Sequence, residues 1–338
     1  MNQQRCGADT DEVINLILIR HGQSCFNQAL SEMRSRRLGD LFARSSREKW
    51  TQLDSIRDPP LTDLGTLQSV WAGQTLRLNF GFPLLLSERS KSVTSWTWPS
   101  HNSSVSSETS ESPRGSISRT TTPSDCSEGW VVQRVICSPL SRCLQTTQAV
   151  VQVGALGNLP RPVMVCPLIT EQVVTNADLG SRCSALIQQY DTSLFDFSLA
   201  QKSEGTFHDW WWGELKPYNF GSDRPVTSVK QWILGAIPLV SACPEPATHA
   251  KRRVSAFLHA LALEPERCVL IVGHSAFFRL LTRDKKMSNG EIRFYNLHRT
   301  TKAVQRNHAA EAHYLAKAPS TEDLVNVRVP PEVHALSL

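Results

Sequence analysis

The chain has 338 residues, 40% of them hydrophobic and 20% charged, with a formal net charge of +5. That length holds one large domain or two small ones, and that apolar share supports a packed core and excludes global disorder. The positive balance is mild and without a Lys/Arg block, so no nucleic acid is implied, although anionic substrates suit it.

Nine cysteines, an odd number without CxxC pairs, read as reduced thiols of a cytoplasmic protein rather than a disulfide framework or a zinc site. The polar first dozen residues carry no secretory pattern. No apolar stretch approaches the ~18 residues of a membrane span, so no membrane association is expected.

In chain order, residues 15–19 (NLILI) form a short apolar run of the kind buried on both faces of a sheet. It ends in Arg20, His21 and Gly22, where open α/β sheets hold their ligands. Gly22 permits a sharp turn, and Gln23, Ser24 and Asn27 add hydrogen-bonding groups. Residues 34–50 are polar and Arg-rich, read as helix and loop. After Pro59 and Pro60, Thr62 caps a predicted helix to about residue 78. Leu64, Leu67, Trp71 and Leu78 would form its buried face. Gly65 inside that helix costs about 1 kcal/mol relative to Ala, which a close contact with a strand would explain.

Residues 87–127 contain 15 Ser and 6 Thr in 41 positions. Such a stretch buries too little to offset its ordering entropy and is expected to be a disordered insertion. It also offers a place for a partner protein. Residues 131–137 (VVQRVIC) are the next strand. Ser138 and Pro139 then begin a helix, with Ser as cap and Pro in the first position. Leu140, Leu144, Thr147 and Val151 form its stripe. Arg142 falls in its first turn, where free N–H groups favour anions.

Residues 162–166 (PVMVC) are a third strand, followed shortly by Glu171. An excursion over residues 187–247 is rich in aromatics, including Tyr190, Phe195, Phe197 and Trp210–Trp212. It is expected to pack on the main body and to shape the cleft. A helix over residues 248–263 turns Val254, Phe257, Leu258 and Leu261 inward and Lys251, Arg252 and Arg253 outward. Residues 268–272 (CVLIV) are a fourth buried strand, ending in Gly273, His274 and Ser275. A helix follows to residue 282, then an Asn289-Gly290 turn. Residues 291–297 read as a final edge strand. A polar tail carries a helix near residues 309–316.

Strands alternating with helices predict an α/β fold, a three-layer α/β/α sandwich on a mostly parallel sheet. Residues 13–298 form one domain, interrupted by 87–127 and 187–247 and followed by an extension over 299–338. In that architecture Arg20, His21, Arg142, Glu171 and His274 gather beyond neighbouring strand ends. Two arginines offer forked donors to phosphate oxygens. Two histidines offer a nucleophile and a proton or hydrogen-bond donor, and one carboxyl a general acid/base. The sequence shows no metal cluster, P-loop or dinucleotide fingerprint, so neither metal nor cofactor is expected.

The stretches LILIRHGQSCFN (16–27), DPPLTDLGTLQS (58–69), ICSPLSRCLQTT (136–147), the Glu171 segment and VLIVGHSAFFRLL (269–281) resemble, in order, the motifs of the histidine phosphatase superfamily. RHG, SPLxRxxQT and GHS in that order are highly specific together. The resemblance implies the phosphoglycerate mutase-like fold and phosphomonoester hydrolysis through a phosphohistidine, without metal, on a small phosphorylated substrate. It carries the nucleophile to His21. Arg20, Arg142 and His274 would hold the phosphoryl oxygens, with Asn27 and Ser275 as further contacts, and Glu171 would be the general acid. Asp178, or an acid in the Asp58 region, is the fallback. His274 is expected to be protonated beside a phosphate.

The sequence admits three other readings. A mutase would pass the phosphoryl group to a second hydroxyl, but the usual mutase segment after the acid is not visible at residues 171–180. A serine hydrolase would use Ser275 as nucleophile, with Asp284, Glu291, His298 or His334 as partners, but Phe277 stands where its tight turn needs glycine. A non-catalytic scaffold would act through the Ser-rich insertion.

Overall fold

The computed structural model describes residues 12–34, 56–80, 130–153, 162–206 and 245–316. The Ser-rich insertion, the Arg-rich stretch 35–50, the aromatic cluster 207–218 and the tail beyond 316 lie outside the described residues.

Among the described residues seven strands form one sheet in the order β4-β3-β2-β5-β1-β6-β7. They are β1 (Val13–Arg20), β2 (Arg134–Cys137), β3 (Val163–Val165), β4 (Phe195–Asp196), β5 (Cys268–Gly273), β6 (Ile292–His298) and β7 (Val304–Arg306). Four of the six neighbouring pairs are parallel, and β6 runs antiparallel to both β1 and β7. The helices are α1 (Cys25–Arg34), α2 (Asp63–Phe80), α3 (Ser141–Val153), α4 (Cys183–Gln189), α5 (Ser198–Thr206), α6 (Ala247–Leu263), α7 (Ser275–Thr282) and α8 (His308–Leu315).

Side-chain alternation along the strands divides the core in two. Ile17, Ile19, Val135, Cys137, Leu270 and Val272 pack on one face with Ala72, Leu76, Leu144 and Val150 from α2 and α3. Leu16, Leu18, Ile136, Val269 and Ile271 pack on the other with Val254, Phe257 and Leu261 from α6 and Phe277 and Phe278 from α7. The result is the three-layer α/β/α sandwich that the sequence predicts. Tyr190, Phe195 and Phe197 join the first cluster, so the described start of the aromatic excursion is core.

Three details differ from expectation. The buried face of α2 is not its leucine stripe: Leu64 is 50% exposed and Leu67 36%, while Gly65, Ser69, Val70, Ala72, Gly73 and Leu76 are buried. Small residues let α2 approach its neighbours more closely than leucines would. A Cβ on Gly65 would lie 2.0 Å from the Gln23 carbonyl oxygen, and one on Gly22 2.1 Å from that of Gly65. Close approach to α2, rather than an unusual turn, is what requires Gly22.

Second, β6 is not an edge, because β7 from the polar tail pairs with it and α8 packs Ala310 and Tyr314 into the core. Asn307 caps α8, its Oδ1 accepting from Ala310 N at 2.9 Å. Third, Arg253 faces inward and is only 7% exposed. An inward arginine interrupts the apolar pattern of α6, which is why periodicity misplaced it.

Candidate active site

The ladder sets the site's spacing. Arg20 is in register with Gly273, and Cys137 with both Val272 and Val165. Just past these pairs the parallel pattern continues: His21 N donates to Gly273 O at 3.0 Å, Ser138 N to Val272 O at 3.1 Å and Cys166 N to Cys137 O at 2.8 Å. The carboxyl ends of β3, β2, β5 and β1 therefore stand side by side, and the two histidine rings meet at 5.1 Å between centroids.

His21 is 2% exposed and its Nδ1 lies 2.7 Å from the carbonyl oxygen of Gly22. A carbonyl only accepts, so Nδ1 carries the proton and Nε2 keeps its lone pair. Burial, with the charges of Arg142 and Arg20, pushes the His21 pKa well below its ordinary value. The ring is neutral, with the lone pair of Nε2 left in place.

His274 is fully buried, its Nε2 2.8 Å from Ser138 Oγ and 3.3 Å from Cys143 Sγ. Burial acts first on it too, followed by Arg142, His21 and Arg20, and its pKa is also well below the ordinary value. The protein alone keeps His274 neutral. The protonated state expected beside a phosphate has to be induced by that anion.

Arg20 donates from Nη1 to Met287 O at 2.7 Å, while its buried Nε makes no hydrogen bond. Arg142, 4% exposed, donates to Ala177 O at 2.8 Å and pairs with Asp178 at 3.1 Å. Both guanidiniums are held by one edge, and both bear electrostatically on His21 and His274.

Glu171 is half-buried on the loop after a short 3₁₀ turn, Pro167–Ile169. Its Oε1 accepts from Gln172 N at 3.0 Å and Phe277 N at 3.2 Å, and its Oε2 from Ala276 N at 3.4 Å. It thereby caps α7, the helix that follows His274. Burial and then Asp178 raise its pKa, against the pull of Arg142. A carboxyl whose pKa is raised in this way holds its proton to higher pH than an ordinary one, which suits proton donation.

The fallback acids are occupied otherwise. Asp58 accepts from the backbone N and Oγ of both Ser141 and Ser181, at 2.7 to 3.1 Å. It is the anion at the start of α3, which begins at Ser141 rather than Pro139, while Ser138 turns to His274. Asp178 pairs with Arg142 and caps its own turn through Thr175. Ser275 Oγ donates to Met287 O at 3.4 Å, a carbonyl rather than a histidine. Asp284 and Glu291 are engaged by Arg306 and Arg293. His334 lies outside the described residues.

Asn27 is placed by a residue that sequence reading took only as a turn signal. Asn289 Nδ2 reaches Asn27 Oδ1, His21 O and Gly22 O at 3.1 to 3.2 Å. Gly290, at φ 72°, donates to Arg20 O. The turn thus clamps the β1–α1 loop, a long-range role that the Asn-Gly pair alone does not reveal. Among the described residues no cluster of His, Cys, Asp and Glu could hold a metal ion. All six described cysteines are free thiols, as expected, and no described helix is long and apolar enough to cross a membrane.

No family model and no curated protein sequence matches the chain. Solved structures do show similarity at low identity. A phosphoglycerate mutase from Bacillus anthracis str. Sterne is 13% identical over 92% of this chain and 99% of that one, with a TM-score of 0.43. The ecdysone phosphate phosphatase of Bombix mori is 12% identical over 83% and 88%, with a TM-score of 0.37. The alpha-ribazole phosphatase of Shigella flexneri is 13% identical over 87% and 95%, also with a TM-score of 0.37.

Proposed function

We propose that the chain is a member of the histidine phosphatase superfamily that hydrolyses phosphomonoesters through a phosphohistidine on His21, without metal. The observation that carries this reading is the state of His21: buried, neutral, fixed through Nδ1–H to Gly22 O, and flanked by two guanidiniums. A neutral imidazole among cations is a poor structural element and a good nucleophile for an anionic phosphoryl group.

In the first step the Nε2 lone pair attacks phosphorus and the bond to the leaving oxygen breaks. Glu171 gives that oxygen its proton, worth about 10²–10⁴ in rate for a poor leaving group. Arg20, Arg142 and the His274 imidazolium, protonated beside the phosphate, offset charge on the equatorial oxygens. In the second step the Glu171 carboxylate takes a proton from water, the water oxygen attacks phosphorus, and the P–N bond returns its electrons to His21. Asn27 and Ser275 position this machinery, Asn27 through Asn289 and Ser275 through the carbonyl that also holds Arg20.

The test is hydrolysis of p-nitrophenyl phosphate with a chelator present, wild type beside His21→Ala. We expect turnover by the wild type, a loss of about 10⁴–10⁶-fold in the variant, and a phosphoryl label on His21 that survives base and is lost in acid. Turnover of an alkyl phosphate should fall as pH rises through the Glu171 pKa, which lies above the ordinary 4.5. Activity that vanishes with chelator and returns with a divalent cation would refute the metal-free reading.

A further inference from the structure

Behind the Glu171 loop lies a buried ion pair that the catalytic steps above do not use. Arg253 of α6 donates from Nε to Glu245 Oε1 at 2.8 Å and from Nη2 to Glu245 Oε2 at 2.7 Å. The Glu245 side chain is fully buried, and its Oε1 also lies 2.5 Å from His249 Nδ1. The remaining donors of Arg253 all go to one loop. Nη1 reaches Leu168 O at 2.7 Å and Thr170 O at 3.1 Å, and Nη2 reaches Glu171 O at 3.4 Å. Glu245 holds the far side of that loop: its backbone N donates to Val173 O at 2.8 Å, and its Oε2 accepts from Val173 N at 3.4 Å. Gln172 Nε2 donates to Glu245 O at 3.1 Å.

A buried ion pair usually adds little net stability, because desolvation offsets attraction. One whose remaining hydrogen bonds, apart from that to His249, converge on the backbone around a single carboxyl fixes geometry. We infer that Arg253 and Glu245 are positioning residues that set where the Glu171 carboxyl stands relative to the leaving oxygen. This rests on Glu171 being the proton donor proposed above. The loop between the 3₁₀ turn and Val173 is itself in no strand or α-helix, so the pair takes the part that the ladder takes for the histidines. A displacement near 1 Å at a catalytic group can cost about 10²-fold.

The readout is leaving-group dependence, which a purely structural role would not move. Measure kcat/KM for p-nitrophenyl phosphate and glycerol phosphate in wild type, Glu171→Gln, Arg253→Met, Arg253→Lys and Glu245→Gln. We expect Arg253→Met to lower the alkyl substrate by about 10–100-fold and the aryl substrate by less than about threefold, since a good leaving group needs little proton donation. Steady-state phosphohistidine from the aryl substrate should rise, because a misplaced Glu171 also activates water poorly. Arg253→Lys and Glu245→Gln, which keep charge or shape, should show the same asymmetry more weakly and serve if Arg253→Met does not fold. An equal loss on both substrates, tracking a lowered melting temperature, overturns the inference while Glu171→Gln remains asymmetric. A Glu171→Gln variant with no asymmetry overturns the acid assignment, and this inference with it.

Discussion

His21 and His274 stand one residue beyond parallel strands whose register is fixed by the ladder, whereas Glu171 stands on a loop outside the sheet that is held largely through side-chain bonds. On the histidine side, β1, β2 and β5 are buried apolar runs, and their hydrogen bonds continue past the strand ends to His21 N and Ser138 N. Placement there follows from regular structure. On the carboxylate side the loop depends on Arg253, Glu245 and the N–H groups of α7. The two sides also differ electrostatically. Burial among arginines lowers the pKa of both histidines, whereas burial beside Asp178 raises that of Glu171. Desolvation thus favours the uncharged form of both kinds of group.

The sharpest way to break the histidine side, short of removing His21, is Arg142→Ala. It deletes a charge that bears on both histidines and frees Asp178, its salt-bridge partner, next to Glu171. Steady-state kinetics should show kcat lower by about 10³–10⁵, the range seen for arginines that neutralise a transferring phosphoryl group. Arg142→Lys should recover only part, because a point charge cannot serve Ala177 O, Asp178 and a phosphate oxygen together. Near-normal activity in Arg142→Ala would remove the anion-pocket reading.

A smaller effect should come from Gly65→Ala. Helix propensity alone predicts a gain of about 1 kcal/mol. The new Cβ would lie 2.0 Å from Gln23 O, two residues from His21, so the clash wins. Urea unfolding should show a net loss of about 2 kcal/mol or more, with reduced activity from the displaced loop. A stabilised, fully active variant would show that the contact yields.

The mildest prediction concerns pH. The folded-state pKa values of His21 and His274 are well below their ordinary 6.5. Between the lowered values and 6.5 the unfolded chain binds protons that the folded chain does not. Stability contributed by these two residues is therefore complete above pH 6.5 and lost as pH falls below it, by up to about 1.4 kcal/mol per pH unit for each. Glu171 acts in reverse: its raised pKa makes the fold hold a proton above 4.5, so its contribution falls as pH rises through that window. Two histidines outweigh one carboxyl. Denaturation at pH 7 and pH 5.5 should show a decline on acidification that is flattened in the His21→Gln/His274→Gln double variant. Equal slopes for the two proteins would contradict the assignment of these histidines as neutral in the fold.

The sequence by itself determined the four apolar runs, their alternation with helices, and the polar residues at their ends. Each is a local signal: a buried strand needs a continuous apolar run, and an open parallel sheet puts its chemistry at the strand ends. Arg20, His21 and His274 lie at strand ends for that reason, while Arg142 and Glu171 follow their strands at a distance, on a helix and a loop, and the order of all five along the chain carried the resemblance. Tertiary structure alone decided what depends on partners distant in sequence. Asp58 could be read as an acid until Ser141 and Ser181 were seen to occupy it. Arg253 looked like a solvated charge because periodicity counts apolar residues, and it cannot register an arginine buried against backbone carbonyls. Asn289 showed only its turn, since its three acceptors lie more than 260 positions away. The stripe on α2 misled because leucines mark burial only where there is room for them. Here Gly22 and Gly65 bring two backbones into contact, and that close approach leaves space only for small residues.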